Sequence, residues 1–72
     1  MSELYVVVGD NKDDSLDRRY WTGQTEGRWP IYLKDRARAC ETSRAAAVSF
    51  AAQFNALRSH YDWRAVPASE IP

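Results

Sequence analysis

The sequence predicts an α+β fold, a small antiparallel sheet of three to four strands in the order β-β-(β)-α-β with one amphipathic helix packed on one face. Three observations carry the prediction. Leu4 to Val8 alternate between two faces with the two-residue period of a strand. Phe50, Phe54, Leu57 and Tyr61 fall at i, i+4, i+7 and i+11, the spacing of a helical stripe, behind the start signal Thr42-Ser43. Between them lie turn signals at Gly9-Asp10-Asn11 and from Gly23 to Gly27, which cut the first half of the chain into short extended segments.

The first strand carries Leu4, Val6 and Val8 on one side and Tyr5 and Val7 on the other, so both faces are apolar and the strand is expected at the centre of the sheet, ending at Gly9-Asp10-Asn11. The second strand is expected over residues 18 to 23, around Tyr20-Trp21-Thr22. Pro30 lacks a backbone N–H, so any strand through residues 28 to 32 must lie at an edge or stop there. Residues 31 to 41 read two ways. Ile31 and Leu33 alternate like a strand, whereas Leu33, Ala37 and Cys40 fit a helical turn. The preferred reading is a short turn followed by a brief strand near Arg38 to Cys40. The alternative is one longer helix from Lys34, which Thr42-Ser43 disfavours because both residues prefer caps to helix interiors. Ala46, Ala47, Phe54, Leu57 and Tyr61 share the side of the helix wheel that Phe50 marks, and this is the expected buried face. Tyr61 to Val66 returns to a β-like pattern and predicts a terminal edge strand. The ordered core is expected to span about residues 3 to 66 of a single domain covering residues 1 to 72, with residues 68 to 72 a frayed tail.

A chain of 72 residues buries only about 60% of its unfolded surface, so its stability is expected to be marginal. Its apolar fraction of 44%, with three Trp, four Tyr and two Phe, is too rich for a disordered chain. Ten basic and ten acidic residues cancel, which argues against a polyanion mimic and against coating of duplex DNA by bulk positive charge. The charges are unevenly placed: residues 10 to 17 carry −3 and residues 28 to 44 carry +3. Two solvated loops or one charged contact surface both account for this. One cysteine, Cys40, excludes an internal disulfide, and the start Met1-Ser2-Glu3 has no basic leader pattern, so a cytoplasmic location is expected. No apolar run reaches the ~20 residues of a membrane span, and no membrane partner is expected.

No residue set points to catalysis. Cys40 and His60 are the only strong nucleophile and base candidates, and they stand on separate elements with nothing tying them together. Cys40 reads as a small buried hydrophobe and His60 as a residue at the helix C-terminus near its last carbonyls. The acidic run Asp10 to Asp17 lacks the central Gly and late Glu of a calcium loop, with Lys12 and Leu16 at liganding positions. One His and one Cys make no zinc set. The sequence therefore predicts no enzyme, no metal and no cofactor.

The interleaving of Trp21, Trp29, Trp63, Tyr5, Tyr20 and Tyr32 with arginines has the composition of a contact surface for protein or for stacked bases, and core packing of most rings is the competing explanation. The expected binding residues are Arg18, Arg19, Tyr20, Trp21, Arg28 and Trp29. Opposite Phe50 the helix carries Ala45, Val48, Ala52 and Ala56 where Glu and Lys are usual. Small side chains permit close helix packing, which points to self-association as a homodimer; an alanine-rich coding bias explains the same residues.

A strand ending in Gly9, an aromatic strand with Trp21-Thr22-Gly23, Trp29 at the loop exit, then Ala37, Cys40, Thr42 and the helix run Phe50-Ala51-Ala52-Gln53-Phe54 together resemble small phage and prophage accessory proteins over about residues 4 to 66. The resemblance is one of layout and carries over no functional residue. It implies a non-catalytic inhibitor that sterically blocks a bacterial protein complex in the host cytoplasm, anti-CRISPR proteins being the best-known case. The second reading is a single-stranded nucleic-acid-binding module built on the same Trp, Tyr and Arg side chains.

Overall fold

Val6, Val7 and Val8 are completely buried at the centre of a four-stranded antiparallel sheet whose strand order is β3-β2-β1-β4. The computed structural model describes residues 3–71. Its elements are β1 (Tyr5–Asn11), β2 (Arg18–Glu26), β3 (Trp29–Leu33), a 3₁₀ turn at Arg36–Arg38, α1 (Arg44–Ala56), β4 (Tyr61–Pro67) and a second 3₁₀ turn at Ala68–Glu70. This is the small α+β sheet-and-helix fold that the strand and helix periods predict. β1 is central, as its apolar residues on both faces require, and β3 with Pro30 and β4 form the two edges.

Successive residues of β1 face opposite sides. Val7 joins Trp21, Ala47, Ala51, Phe54 and Trp63 in the core beneath the helix, whereas Val6 and Val8 pack with Ile71 on the outer face. β1 runs three residues beyond its expected end, through Gly9, Asp10 and Asn11. The reason lies across the strand pair. Gly9 is the register partner of Trp63, and a Cβ on Gly9 would stand 2.7–2.8 Å from the indole carbons Cε3, Cζ3 and Cη2. The ring lies where a side chain would be, so this glycine is a strand residue and no turn signal. Leu4, expected to start the strand, is 49% exposed.

β2 extends to Glu26 and joins β3 through the two-residue loop Gly27-Arg28. Gly27 has φ +62° and Arg28 a negative φ, the pattern of a hairpin turn with glycine first. Between Trp21 and Thr25 the register shifts by a bulge. The Trp21 indole donates to the Gln24 carbonyl (2.7 Å) and the Thr22 hydroxyl to the Ile31 carbonyl (2.8 Å), which occupy carbonyls at the irregularity. Neither the brief strand near Arg38 to Cys40 nor a helix from Lys34 is present. Asp35 caps a single 3₁₀ turn, the Cys40 N–H donates to the Trp21 carbonyl (2.9 Å), and Thr42 bridges Tyr5. Cys40 is half-buried, with its Cβ and Sγ 3.0 Å from where a side chain on Gly23 would begin.

Ser43 caps α1 as its position predicts, its Oγ accepting from the Ala46 N–H at 3.2 Å. The face toward the sheet is Ala47, Ala51 and Phe54, with Phe50 and Leu57 partly buried beside them. Phe54, 1% exposed, contributes roughly 2–3 kcal/mol by burial alone. Tyr61 does not continue the helical stripe. The helix ends at Ala56, Arg58 turns the chain with φ +55°, and Tyr61 opens β4, from which it reaches the same core. Asn55 then ties the helix to β4, its amide donating to the Trp63 carbonyl (2.8 Å) and accepting the Trp63 N–H (2.7 Å). That pair occupies the outward backbone groups of an edge strand.

The expected frayed tail is a correction as far as Ile71, Pro72 lying outside the described residues. Ile71 is 6% exposed on Val6 and Val8, and the Ala68 N–H donates to the Leu4 carbonyl (2.9 Å). The Arg36 guanidinium donates to the Ile71 and Ala68 carbonyls at 3.3 and 3.4 Å. A single helix covers only one face of a sheet, and this returning segment covers part of the other.

Two substitutions test this account. Gly9→Ala forces the Trp63 ring off the strand and is expected to destabilise the protein by about 1–3 kcal/mol in urea denaturation; no change would remove the Trp63 contact as a constraint. Arg58→Gly relieves a left-handed residue just past the helix end and is expected to raise stability by up to about 1 kcal/mol, read as a higher thermal midpoint.

Candidate functional site

β2 and β3 place the six predicted binding residues on different surfaces. Trp21 points to the helix and is 4% exposed, with ring centroids 4.5 Å from Phe50 and 5.3 Å from Phe54. It is a core residue and offers no contact. Tyr20 points to the outer face and is half-buried against the Val6, Val8 and Ile71 cluster. Arg18 and Arg19, adjacent in sequence, lie on opposite faces because side chains alternate along a strand. Only Arg28 and Trp29, at the hairpin tip, are exposed without an ionic or core role, Trp29 at 53%.

Both arginines at the start of β2 are held by carboxylates of this chain. On the outer face Arg18 Nε lies 2.8 Å from Asp10, whose other oxygen is 3.2 Å from Arg64. Pairing with Asp10 raises the Arg18 pKa. On the helix side Arg19 Nε meets Asp17 at 2.8 Å, and its guanidinium stands 6.0 Å from the Tyr32 ring centroid and 5.9 Å from that of Tyr61. Asp17 also accepts from the Asn11 amide (3.1 Å) and the Tyr61 hydroxyl (2.9 Å). The hydrogen bond from Arg19 first, then those from Asn11 and Tyr61, hold the Asp17 carboxyl well below the usual carboxylate range. Burial, followed by the bond to Asp17, pushes the Tyr61 phenol up. The network joins the acidic loop to β2, β3 and β4 and is structural in character.

Two carboxylates of the acidic segment, Asp10 and Asp17, are thus held by arginines of this chain, while Lys12 lies 3.7 Å from Asp62 and the His60 imidazole 3.9 Å from Asp13. His60 lies beyond the helix end, where its backbone carbonyl accepts from the Lys12 N–H (2.8 Å) and its side chain stays exposed. Among the described residues its side chain makes no hydrogen bond to the helix carbonyls. Among the described residues no three His, Cys, Asp or Glu side chains gather as a metal set. The basic segment differs, since Arg28, Lys34 and Arg38 have no carboxylate within ion-pair distance among the described residues.

Beside these free cations the outer face of β3 exposes three large apolar side chains at alternate positions, Trp29, Ile31 (39%) and Leu33 (43%). Ile31 and Leu33 line a depression of about 290 Å³ with Thr22, Gln24 and Arg38. Ile31, Leu33 and Arg38 belong to this exposed surface but are not among the binding residues expected from the sequence. Their signal was present, because Trp29, Ile31 and Leu33 alternate along a segment that Pro30 confines to an edge. On the helix, Ala45, Val48, Ala52 and Ala56 lie together on the exposed side, with Val48 51% exposed. Comparison with family models, with curated proteins and with solved structures found no match to this chain. No helix among the described residues is long and apolar enough to cross a membrane.

The Asp17 network predicts an acid limb in stability. A carboxyl whose folded pKa is depressed below its ordinary value of 3.8 contributes stability that is complete above that value and is lost as pH falls through the folded value. Asp17→Asn is expected to be less stable than the native chain at neutral pH, with the gap narrowing steadily below about pH 4; parallel pH profiles in thermal denaturation would contradict it.

Proposed function

We propose that this protein is a non-catalytic binding module that docks on another protein through the outer face of its β2–β3 hairpin. The observation that carries the reading is the row of Trp29, Ile31 and Leu33, 53%, 39% and 43% exposed on one face of an edge strand. Isolated exposed apolar side chains are ordinary, but three in register beside free arginines have the composition of an interface centre. Contact through the face fits better than strand addition. Glu26 and Trp29 flank the two-residue loop and form the hydrogen-bonded pair of the hairpin, which turns the backbone of Pro30 outward. An incoming strand would find no donor there.

A single-stranded nucleic-acid platform has less support. It needs several exposed rings and free cations along one path. Trp21 and Trp63 are each 4% exposed, and Arg18, Arg19 and Arg64 are paired with carboxylates, leaving Trp29 alone as an open indole. The resemblance of the sequence layout to small phage accessory proteins makes a bacterial protein complex the first partner class to examine, with steric occlusion as the mode of action. A role as inhibitor of such a complex is the specific form of the proposal.

Tagged protein retained on a column is expected to hold a stoichiometric protein complex from bacterial lysate after nuclease treatment, identified by mass spectrometry. Trp29→Ala combined with Ile31→Glu is expected to weaken binding to that complex by about 2 kcal/mol or more, roughly thirtyfold, while Ala52→Glu on the helix back leaves it unchanged. Complete loss of retained material on nuclease treatment would instead favour nucleic acid.

A further inference from the structure

The hairpin tip has a second side. Toward the helix, a trough of about 430 Å³ runs between the β2–β3 tip and the C-terminal half of α1, floored by Phe50, Phe54 and Leu57 and rimmed by Thr25, Arg28 and Gln53. Its size falls in the range of ligand sites. The floor is firm, since Phe50 is backed by Trp21 at 4.5 Å and Phe54 by Trp63 at 5.6 Å between ring centroids. Phe50 and Leu57 are only partly buried, so part of the apolar surface faces the trough. Above it Gly27 has no neighbouring atom within 4 Å of where a side chain would start, which leaves the approach open. At the rim, Arg28 carries a charge with no carboxylate partner among the described residues.

An aromatic floor beneath an unpaired guanidinium is complementary to a bulky apolar side chain next to a carboxylate. We infer that this trough is a second binding site, for an acidic peptide segment that seats one large apolar residue on Phe50 and Leu57, with buried Phe54 backing them, and pairs its carboxylate with Arg28. The site lies on the opposite side of the hairpin from the outer face, with Arg28 at the tip between them, and it stands whether or not that face binds a partner. Thr25 and Gln53, a hydroxyl and an amide, serve the backbone of the segment at either rim. A basic segment with the same apolar residue is excluded by Arg28, so charge sets the specificity and the ring floor the affinity.

The test is an NMR titration of the full ¹⁵N-labelled chain with a blocked tripeptide carrying phenylalanine between two aspartates. Saturable shifts at the amides of Thr25, Gly27, Arg28, Gln53 and Leu57 in the low millimolar range are expected, with no saturation by the same tripeptide flanked by lysines. Arg28→Glu, on an exposed turn, is expected to keep the spectrum of the folded chain and to weaken binding by at least about tenfold; Arg28→Gln should fall between the two. Absence of saturable shifts overturns the inference, as do equal affinity in Arg28→Glu or shifts confined to Ile31, Leu33 and Arg38. Movement of the trough amides on simple dilution, without peptide, would assign the trough to a second copy of the chain and overturn it as well.

Discussion

The fold depends on the indole of Trp63 lying flat on Gly9. That contact fixes the register of the central strand pair, because the ring occupies the volume a side chain at position 9 would need. Side chains alternate with period two, so a slip of one residue would turn Arg64 toward the helix and Trp63 toward solvent. The same ring meets Phe54 of the helix and Tyr32 of the far edge strand, at 5.6 and 5.4 Å between centroids, so one side chain joins three elements. Asn55 holds its backbone from the helix side through two hydrogen bonds. The indole N–H of Trp63 is buried with no hydrogen-bond partner among the described residues. An unpaired donor of this kind costs on the order of 1–3 kcal/mol, and it persists because the ring face is what the glycine requires.

Around this centre the charges sort by partner more than by position. Asp10 and Asp17 are each held by an arginine of β2, with Arg64 of β4 adding to Asp10, so the acidic segment is bound into the sheet. Arg28 and Arg38 find no such partner among the described residues and flank the apolar residues of β3 and the trough behind the hairpin tip. Net charge is zero for the whole chain, yet two of its unpaired cations among the described residues, Arg28 and Arg38, stand where large apolar side chains are also exposed. Desolvating an unpaired guanidinium against an acidic partner gains more than displacing one already bonded to its own carboxylate.

Where a local physical rule acts alone, the sequence was readable. The valines of β1 declare a central strand, Ser43 declares a helix start, and Pro30 confines its strand to an edge. The misreadings occur where two rules coincide or where register decides. Tyr61 continues the helical spacing of Phe50, Phe54 and Leu57 by number, but the left-handed turn at Arg58 hands it to β4, and it reaches the same core from the sheet. Gly9 reads as a turn until Trp63 is placed opposite it. Ile71 anchors a tail of unremarkable composition because Val6 and Val8 leave an apolar strip uncovered. Of the expected binding residues, Arg28 and Trp29 stay exposed, as a loop position allows, whereas the fates of Arg18, Arg19 and Trp21 depend on which face each residue takes and which carboxylate lies across the strand.

Trp21 shows how a residue can be essential to a surface without belonging to it. Its indole N–H bonds to Gln24 and its carbonyl accepts from Cys40, so the two ends of one residue fasten the β2 bulge and the approach to the helix. The bulge lies between Trp21 and Thr25, directly before the tip that carries Arg28 and Trp29. Thr22, Gly23 and Gln24 of β2 stand opposite the single Ile31 of β3, and these two extra residues bend the hairpin but displace no side chain to the wrong face, since Thr25 and Trp21 both remain on the helix side. The bend therefore belongs to the geometry of the trough, with Trp21 as its backing and Phe50 as its floor. Loss of Trp21 would remove core, bulge and trough together, whereas the exposed side chains of Arg28 and Trp29 at the tip can be changed without disturbing the packing beneath them.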